Sequence, residues 1–175
     1  MARWVVQHRP DLRWHCPQLP GSPKGAMQQI FADVRDWPVQ HMAVIGSSLG
    51  GFYATVVAER LRCRAVLLNP AVDPARDLFQ HIGETTTWHG DAKFHFRAEF
   101  VDELRDMHPR HITLPERYFA VIAKGDELLD WREMRGRYAA CQGKLLEGGD
   151  HALSDFDAHL PDVVKFLGLD RPPVC

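Results

Sequence analysis

Short apolar runs that end abruptly in turn residues are the feature of this sequence that most limits its fold. The runs at 42–46 (MAVIG) and 118–124 (YFAVIAK) are almost continuously apolar, and the first passes directly into glycine and serine. A strand is apolar along its whole length when helices cover both faces of its sheet, as in parallel sheets. Longer stretches with helical spacing separate these runs, which is the pattern of repeated β-α units. The sequence therefore predicts an α/β fold with a mostly parallel central sheet.

The same alternation predicts the individual elements. The strand candidates are Leu12 to Cys16, Met42 to Gly46, Arg64 to Asn69, Tyr118 to Lys124 and Lys144 to Glu147. The helix candidates are Ala2 to His8, Lys24 to Asp36, Leu49 to Arg62, Trp131 to Ala140 and Asp155 to Leu167. Asp130 and Glu133 have the spacing of a capping box, so the helix after the fourth strand is expected to begin at Trp131.

A chain of 175 residues fits one domain, so residues 1–175 are predicted to form a single unit. The segment at about 73–115 interrupts the β-α alternation between the third and fourth strands. It carries apolar residues at helical spacing, namely Phe96, Phe100, Leu104 and Met107. This pattern is typical of a helix packed on the sheet.

The same segment is also compatible with a cap over a substrate cleft. In that interpretation its aromatic residues border the cleft and bind substrate: Trp88, Phe94, Phe96 and Phe100. The two interpretations do not exclude each other.

Composition excludes several classes of function. The net charge is about −2, and no basic run is interleaved with aromatic residues, so no nucleic acid partner is expected. No apolar run approaches the roughly 20 residues that cross a bilayer, and no signal peptide is evident. The four cysteines lack CxxC spacing and the ten histidines lack the spacing of metal ligands, so neither a metal nor a cofactor is predicted. A cytoplasmic protein with reduced thiols is expected.

A candidate nucleophile lies where the first apolar run ends. Residues 46–50 (GSSLG) fit the motif G-x-S-x-G, with a strand pattern before and a helix pattern after. The motif is found at nucleophile elbows, where a sharp turn strains the serine and leaves no room for side chains two residues on either side. Ser48 has glycines at both of these positions, whereas Ser47 has Ile45 and Leu49. Ser48 is therefore the candidate, and the N–H of Leu49 is the candidate oxyanion donor.

A serine N-cap in a glycine-rich turn would give a similar pattern without catalysis. A phosphate-binding loop is excluded because no lysine follows Gly51, and the glycine spacing does not match a dinucleotide fingerprint. The remaining choice depends on whether a base and an orienting acid follow in the sequence.

Two later strand ends supply such residues in the order that α/β-hydrolases use, which is serine, aspartate, histidine. Asp126 follows the fourth strand and His151 follows the last strand, within GGDHA. Serine needs a base to accept its proton and an acid to orient that base. The sequence therefore predicts that His151 is the base and Asp126 the acid.

Three other carboxylates compete with Asp126 for the orienting role. Asp130 is better explained as a helix cap, Glu127 is expected to point away from Asp126, and Asp150 is too close to His151 in the chain to reach its Nδ1. Asp126 is therefore preferred.

The motifs GSSLGGFYAT, LLNPAV, AKGDELLD and EGGDHA occur in this order. With them, and with PQLP at 17–20, the chain resembles the small YqiA/YcfP-type esterases of the α/β-hydrolase superfamily along most of its length. The resemblance implies a three-layer α/β-hydrolase fold and hydrolysis of carboxylic esters or acyl thioesters. Ser48, Asp126 and His151 match the triad positions of that family.

The sequence departs from this family at its start. Its relatives begin with a strand and a His-Gly loop that supplies a second oxyanion N–H, whereas this sequence starts with MARW and has neither. The sheet is therefore expected to lack that first strand and its oxyanion loop. The loss of one oxyanion donor costs on the order of 10²- to 10³-fold in rate. Three alternatives follow: the natural chain starts further upstream, other residues or a partner chain replace the missing parts, or the protein has ceased to catalyse.

The function predicted from the sequence is a serine esterase or thioesterase that forms an acyl-enzyme on Ser48. Its partner would be a small acyl ester or thioester of short to medium chain length. The alternative is a binding or scaffold domain that keeps the α/β-hydrolase fold without catalysis. The sequence does not indicate an oligomeric state.

Overall fold

A computed structural model describes residues 1–86 and 93–170 of the chain. Its strands are β1 (Ala43–Ser47), β2 (Arg64–Leu68), β3 (Gly83–Thr86), β4 (Lys93–Phe96), β5 (Tyr118–Ala123) and β6 (Gln142–Leu146). Four of them form a parallel sheet in the order β1, β2, β5, β6, and β3 pairs with β4 in antiparallel fashion. The parallel sheet confirms the predicted α/β class.

Helices cover both faces of this sheet. They are α1 (Ala2–His8), α2 (Pro23–Asp33), α3 (Leu49–Leu61), α4 (Pro74–Phe79), α5 (Ala98–Met107), α6 (Trp131–Arg137) and α7 (Leu160–Leu167). Along β5, Ala120 and Ile122 belong to a core shared with α3, whereas Phe119 and Val121 belong to a core shared with α7. Alternate strand residues thus enter opposite cores, which confirms the three-layer arrangement. In the described ranges, no helix is long and apolar enough to cross a membrane.

The strand predicted at Leu12 to Cys16 does not form, and residues 13–20 have no regular secondary structure. A strand needs a neighbouring strand to complete its backbone hydrogen bonds. The segment instead makes hydrogen bonds with α2, between His15 and Asp33 at 2.8 Å and from Gln29 to the carbonyl of Gln18 at 3.4 Å. The prediction of a strand at Leu12 to Cys16 is therefore wrong.

Strand β1, which leads into the candidate nucleophile, lies at an edge of the sheet. It pairs with β2 and, among the residues described, with no other strand. Its central residues Val44, Ile45 and Gly46 are half-buried, whereas every residue of β5 is buried. The continuous apolar pattern correctly predicted a fully covered strand for YFAVIAK, but not for MAVIG.

The segment at 73–115 contains α4, the β3–β4 pair and α5. Helix α5 packs against α4 and α2. Its Glu103 accepts hydrogen bonds from the hydroxyl of Ser22, at 2.8 Å, and from the amide of Lys24, at 2.9 Å. The predicted apolar face includes Phe100 and Leu104, which are buried, but Phe96 belongs to β4 rather than to the helix. A capping role for this segment stays a prediction.

Helix α6 begins at Trp131 as predicted, but two features of the predicted helix starts differ from the structure. Asp130 caps α6 by accepting a hydrogen bond from the amide of Arg132 at 2.9 Å, but Glu133 forms an ion pair with Arg76 instead of completing a capping box. Helix α7 begins at Leu160 rather than near Asp155, because residues 156–158 form a turn of 3-10 helix. Both differences arise from hydrogen bonds that the sequence pattern does not reveal.

Candidate active site

Ser48 forms the turn between β1 and α3. Its backbone angles are φ 53° and ψ −123°. Residues other than glycine rarely adopt this conformation, which costs about 1–3 kcal/mol. Its N–H donates to the carbonyl of Leu68 at 3.0 Å, and its own carbonyl accepts from the amide of Ala71 at 3.0 Å. Both peptide groups of the strained serine are therefore hydrogen-bonded, one to the last residue of β2 and one to the segment that follows it.

Two glycines make this turn possible. A Cβ on Gly46 would lie 2.0 Å from the carbonyl oxygen of Gly50, and a Cβ on Gly51 would lie 2.7 Å from Cβ of Pro70. A Cβ on Gly50 would meet no atom within 4 Å. The predicted steric need for glycine is confirmed at Gly46 and is wrong at Gly50; Gly51 is the glycine that the turn requires on its far side.

Leu49 is the first residue of α3 and directly follows Ser48. The first amides of a helix have no partner inside the helix, and the positive end of the helix dipole lies there. The amide of Leu49 is thus placed at a helix terminus that favours negative charge. Its role as an oxyanion donor stays a prediction.

Asp126 and His151 form a buried hydrogen-bonded pair. The carboxylate oxygens of Asp126 lie 3.0 and 2.8 Å from Nδ1 of His151, and the side chains are 0% and 9% exposed respectively. The amides of Leu128 and Leu129 donate to Oδ1 of Asp126 at 2.8 and 2.9 Å. The loop after β5 therefore orients the carboxylate, and the carboxylate orients the imidazole.

The bond to Asp126 determines what His151 can do. A carboxylate on Nδ1 holds the proton of a neutral imidazole at that nitrogen, which makes Nε2 the proton-accepting nitrogen of the ring. This is the tautomer that a general base for a serine hydroxyl requires. The structure thus brings together the predicted acid and the predicted base.

Glu127 also takes part in this site, which the sequence did not indicate. Its Oε2 accepts a hydrogen bond from the backbone amide of His151 at 2.9 Å. The pair Asp126 and Glu127 therefore holds both the side chain and the main chain of the histidine. No signal in the sequence distinguishes this carboxylate from an ordinary turn residue.

Asn69 is a second residue that the sequence analysis missed. It follows β2, is 0% exposed, and accepts a hydrogen bond on Oδ1 from the amide of Ala123 at 2.8 Å. Its Nδ2 donates to the carbonyls of Asp150 and His151 at 3.0 and 3.1 Å. The signal available in LLNPAV was a polar residue directly after an apolar strand, at the edge where the site forms.

The predicted substrate-binding aromatic residues have different placements. Phe96 and Phe100 lie in the hydrophobic core, 6% and 4% exposed, with ring centroids 5.7 Å apart. Trp88 lies outside the described residues, and Phe94 belongs to β4 without a description of its side chain. The burial of Phe96 and Phe100 supports a packing role, and contact of any of the four with substrate stays a prediction.

Clustered metal ligands are absent from the part of the chain that the structure describes. No three side chains of histidine, cysteine, aspartate or glutamate lie there in an arrangement that could hold an ion. The described carboxylates at the site are instead engaged by backbone amides and by the imidazole.

Comparison with known protein families shows which family the chain belongs to. A family model described as uncharacterised protein family UPF0227 matches residues 1–168. The chain belongs to the UPF0227 family. The predicted resemblance to YqiA/YcfP-type proteins is thereby confirmed.

Solved structures show which fold this UPF0227 member adopts. Est1E from Butyrivibrio proteoclasticus, in a structure with bound ferulic acid, has a TM-score of 0.60 at 18% identity, over 84% of this chain and 68% of that one. Alpha/beta hydrolase domain-containing protein 10 from mouse has a TM-score of 0.58 at 16% identity, over 84% and 69%. A hydrolase of the alpha/beta superfamily from Oenococcus oeni PSU-1 has a TM-score of 0.52 at 14% identity, over 87% and 77%. The UPF0227 chain therefore has the α/β-hydrolase fold.

Proposed function

We propose that this protein is a serine hydrolase that cleaves carboxylic esters or acyl thioesters through an acyl-enzyme on Ser48. The observation that carries the proposal is the pairing of Asp126 with Nδ1 of His151 at the same sheet edge as the strained Ser48. Buried carboxylate–imidazole pairs fix the tautomer of a general base. The α/β-hydrolase fold supports the same class of chemistry.

In the proposed reaction, Nε2 of His151 accepts the proton of the Ser48 hydroxyl while Oγ attacks the acyl carbonyl carbon. The carbonyl oxygen becomes an oxyanion, to which the amide of Leu49 donates. When the C–O or C–S bond breaks, the leaving alcohol or thiol takes the proton from Nε2. Water then attacks the Ser48 ester and gives a proton to Nε2 of His151. The bond between the acyl carbon and Oγ breaks, Oγ takes the proton back from Nε2, and the acid is released. Asp126 stabilises the imidazolium in both halves.

The proposed substrates are small acyl esters or thioesters of short to medium chain length. One exposed hydrophobic side chain beside the site supports an apolar substrate: Leu128, in the loop after β5, is 51% exposed. Leu128 lies two residues after Asp126, so an acyl group at the site would have apolar surface beside the acid. A cytoplasmic location is proposed because Cys16, Cys63 and Cys141 are free thiols.

Labelling with a fluorophosphonate probe tests the proposal directly. The wild-type protein is expected to gain one covalent adduct on Ser48 and to hydrolyse a p-nitrophenyl or acyl-thioester substrate. Ser48→Ala should abolish both signals, whereas Ser47→Ala, on the exposed neighbour in β1, should keep them. Labelling that persists in Ser48→Ala would contradict the proposed nucleophile.

A non-catalytic binding domain is the second candidate, and the open edge of β1 favours it. In the described residues no strand lies on the outer side of β1, where an additional oxyanion donor could be carried. This candidate predicts no adduct and no turnover with folded protein. A burst of released alcohol with a matching acyl mass on Ser48 would exclude it.

A further inference from the structure

Four consecutive residues, from the last residue of β2 to Ala71, hold both halves of the candidate site. Leu68 accepts from the amide of Ser48, and Ala71 donates to the carbonyl of Ser48, both at 3.0 Å. Between them, the side chain of Asn69 donates to the carbonyl of His151 at 3.1 Å. The segment from Leu68 to Ala71 is therefore bonded to the main chain of both the nucleophile and the base.

The amide of Asn69 uses its donors and its acceptor at the same time. Its Nδ2 has two hydrogens, which go to the carbonyls of Asp150 and His151, and its Oδ1 accepts the amide of Ala123. The partners fix the orientation of the amide, since only the oxygen can face an N–H and only the nitrogen can face two carbonyls. Its backbone N–H donates to the carbonyl of Val121 at 2.9 Å. The residue thus joins the ends of β2 and β5 to the histidine loop.

The backbone of Asn69 supports the same conclusion. Its φ is 40°, a positive value that asparagine adopts more readily than most other side chains. It is 0% exposed, so an unmatched donor or acceptor there would destabilise the folded state. Both the conformation and the hydrogen bonds therefore favour asparagine at this position.

We infer that Asn69 is a positioning residue, which sets the distance between Nε2 of His151 and the hydroxyl of Ser48. The inference rests on the proposed hydrolase function. Its basis is that the main chain of His151 is held on two sides, by Asn69 at the carbonyl and by Glu127 at the amide. The ring is then oriented by Asp126, so the base has no freedom to shift as a unit.

The expected contribution follows from the geometry of proton transfer. A base must lie within hydrogen-bond reach of the proton that it accepts, and a displacement of about 1 Å can cost about 10²-fold in rate. Loss of the bond from Asn69 frees the carbonyl of His151 while the Asp126 contact persists. Acylation should therefore slow without loss of the acid–base pair itself.

Asn69→Asp is the first test because it keeps the shape and replaces both donors with an oxygen. We expect fluorophosphonate labelling and kcat to fall about 10²-fold, with KM within about twofold of wild type. The new carboxylate also favours the protonated imidazole, so the rising limb of the pH–rate profile should move to higher pH. Asn69→Ser, which keeps a small polar side chain, carries the same rate test if the aspartate variant does not fold.

Thr55→Val is the matched control for lost stability. Thr55 is 2% exposed and its hydroxyl bonds the carbonyl of Gly51 and the hydroxyl of Tyr138, each at 2.9 Å. This variant should unfold at lower temperature and keep the wild-type pH profile. Wild-type labelling rates in a folded Asn69 variant would overturn the inference, as would an equal loss and an equal pH shift in Thr55→Val. A wild-type protein that never labels would instead overturn the proposed function, and this inference with it.

Discussion

Ser154 donates two hydrogen bonds to the carboxylate of Asp150, at 2.9 Å from its amide and 2.6 Å from its hydroxyl. The amide of Leu153 also donates to the carbonyl of Asp150 at 3.1 Å, which closes a tight turn around His151. The carboxylate of Asp150 is therefore bonded within its own turn, and the imidazole of His151 is bonded by Asp126. This agrees with the expectation that Asp150 does not orient His151.

The Asp150–Ser154 contact predicts an acid-sensitive turn. The bond from the Ser154 hydroxyl, followed by the bond from its amide, holds the pKa of Asp150 below its ordinary value of 3.8. The folded state therefore gains stability above that value and loses it as the pH falls through the lowered pKa. Asp150→Asn should make the free energy of unfolding in urea less dependent on pH in the acid range, from pH 5 downward.

Asp126→Asn should nearly abolish activity without unfolding the protein. The variant keeps an oxygen for the amides of Leu128 and Leu129 but presents an N–H to Nδ1 of His151, which favours the wrong tautomer. We expect kcat to fall by about 10³- to 10⁴-fold, measured with an activated ester.

Asp130→Asn is the control for that variant, because Asp130 caps α6 and lies four residues further along. Asparagine is an equally good cap, so both stability and kcat should stay near the wild-type values. Equal losses in the two variants would argue against Asp126 as the orienting acid.

The glycines of the turn should respond in opposite ways to substitution by alanine. Gly46→Ala brings Cβ to 2.0 Å from the carbonyl of Gly50, so the backbone must move, at a cost of about 3 kcal/mol or more. Gly50→Ala enters open space in the first turn of α3 and should keep or raise the melting temperature. Calorimetry on the two variants measures the difference, and similar melting temperatures would contradict the described turn.

The reactivity of the cysteine thiols should decrease as their burial increases. Burial raises the pKa of Cys63 and of Cys141 to about 11, so little of either thiolate is present at neutral pH. Cys16 is exposed and should react first with iodoacetamide, followed by Cys141 and then by the buried Cys63. Peptide mass mapping in a Cys175→Ser background gives the order. Rapid labelling of Cys63 in folded protein would contradict the packing of the core.

The sequence predicted most of the sheet because its inner strands are apolar on both faces. The run at 118–124 became β5, every residue of which is buried, and the polar turn after it carried the acid. The run at 12–16 also alternates apolar and polar residues, but it forms no strand. A period of two describes the side chains alone, and the backbone partner that completes a strand lies elsewhere in the chain.

The candidate site was predictable only where a residue type carries the chemistry. Asp126 and His151 were identified from chain order and strand ends, and the structure brings them into contact. Asn69 and Glu127 were missed because they act on the main chain of His151, which no local pattern records. The need for glycine was predicted at Gly46 but not at Gly51, because the contact between Gly51 and Pro70 depends on a turn 19 residues away.

Among the residues that the structure describes, β1 is hydrogen-bonded to a neighbouring strand on one side only, so the strand before Ser48 lies at a sheet edge. Both peptide groups of Ser48 are nevertheless anchored inward, to Leu68 and Ala71. Changes along the outer side of β1 are therefore expected to leave the backbone of Ser48 in place. Amide exchange should accordingly be fast at the outward-facing amides of β1 and slow at Ser48, whose amide donates to the carbonyl of Leu68.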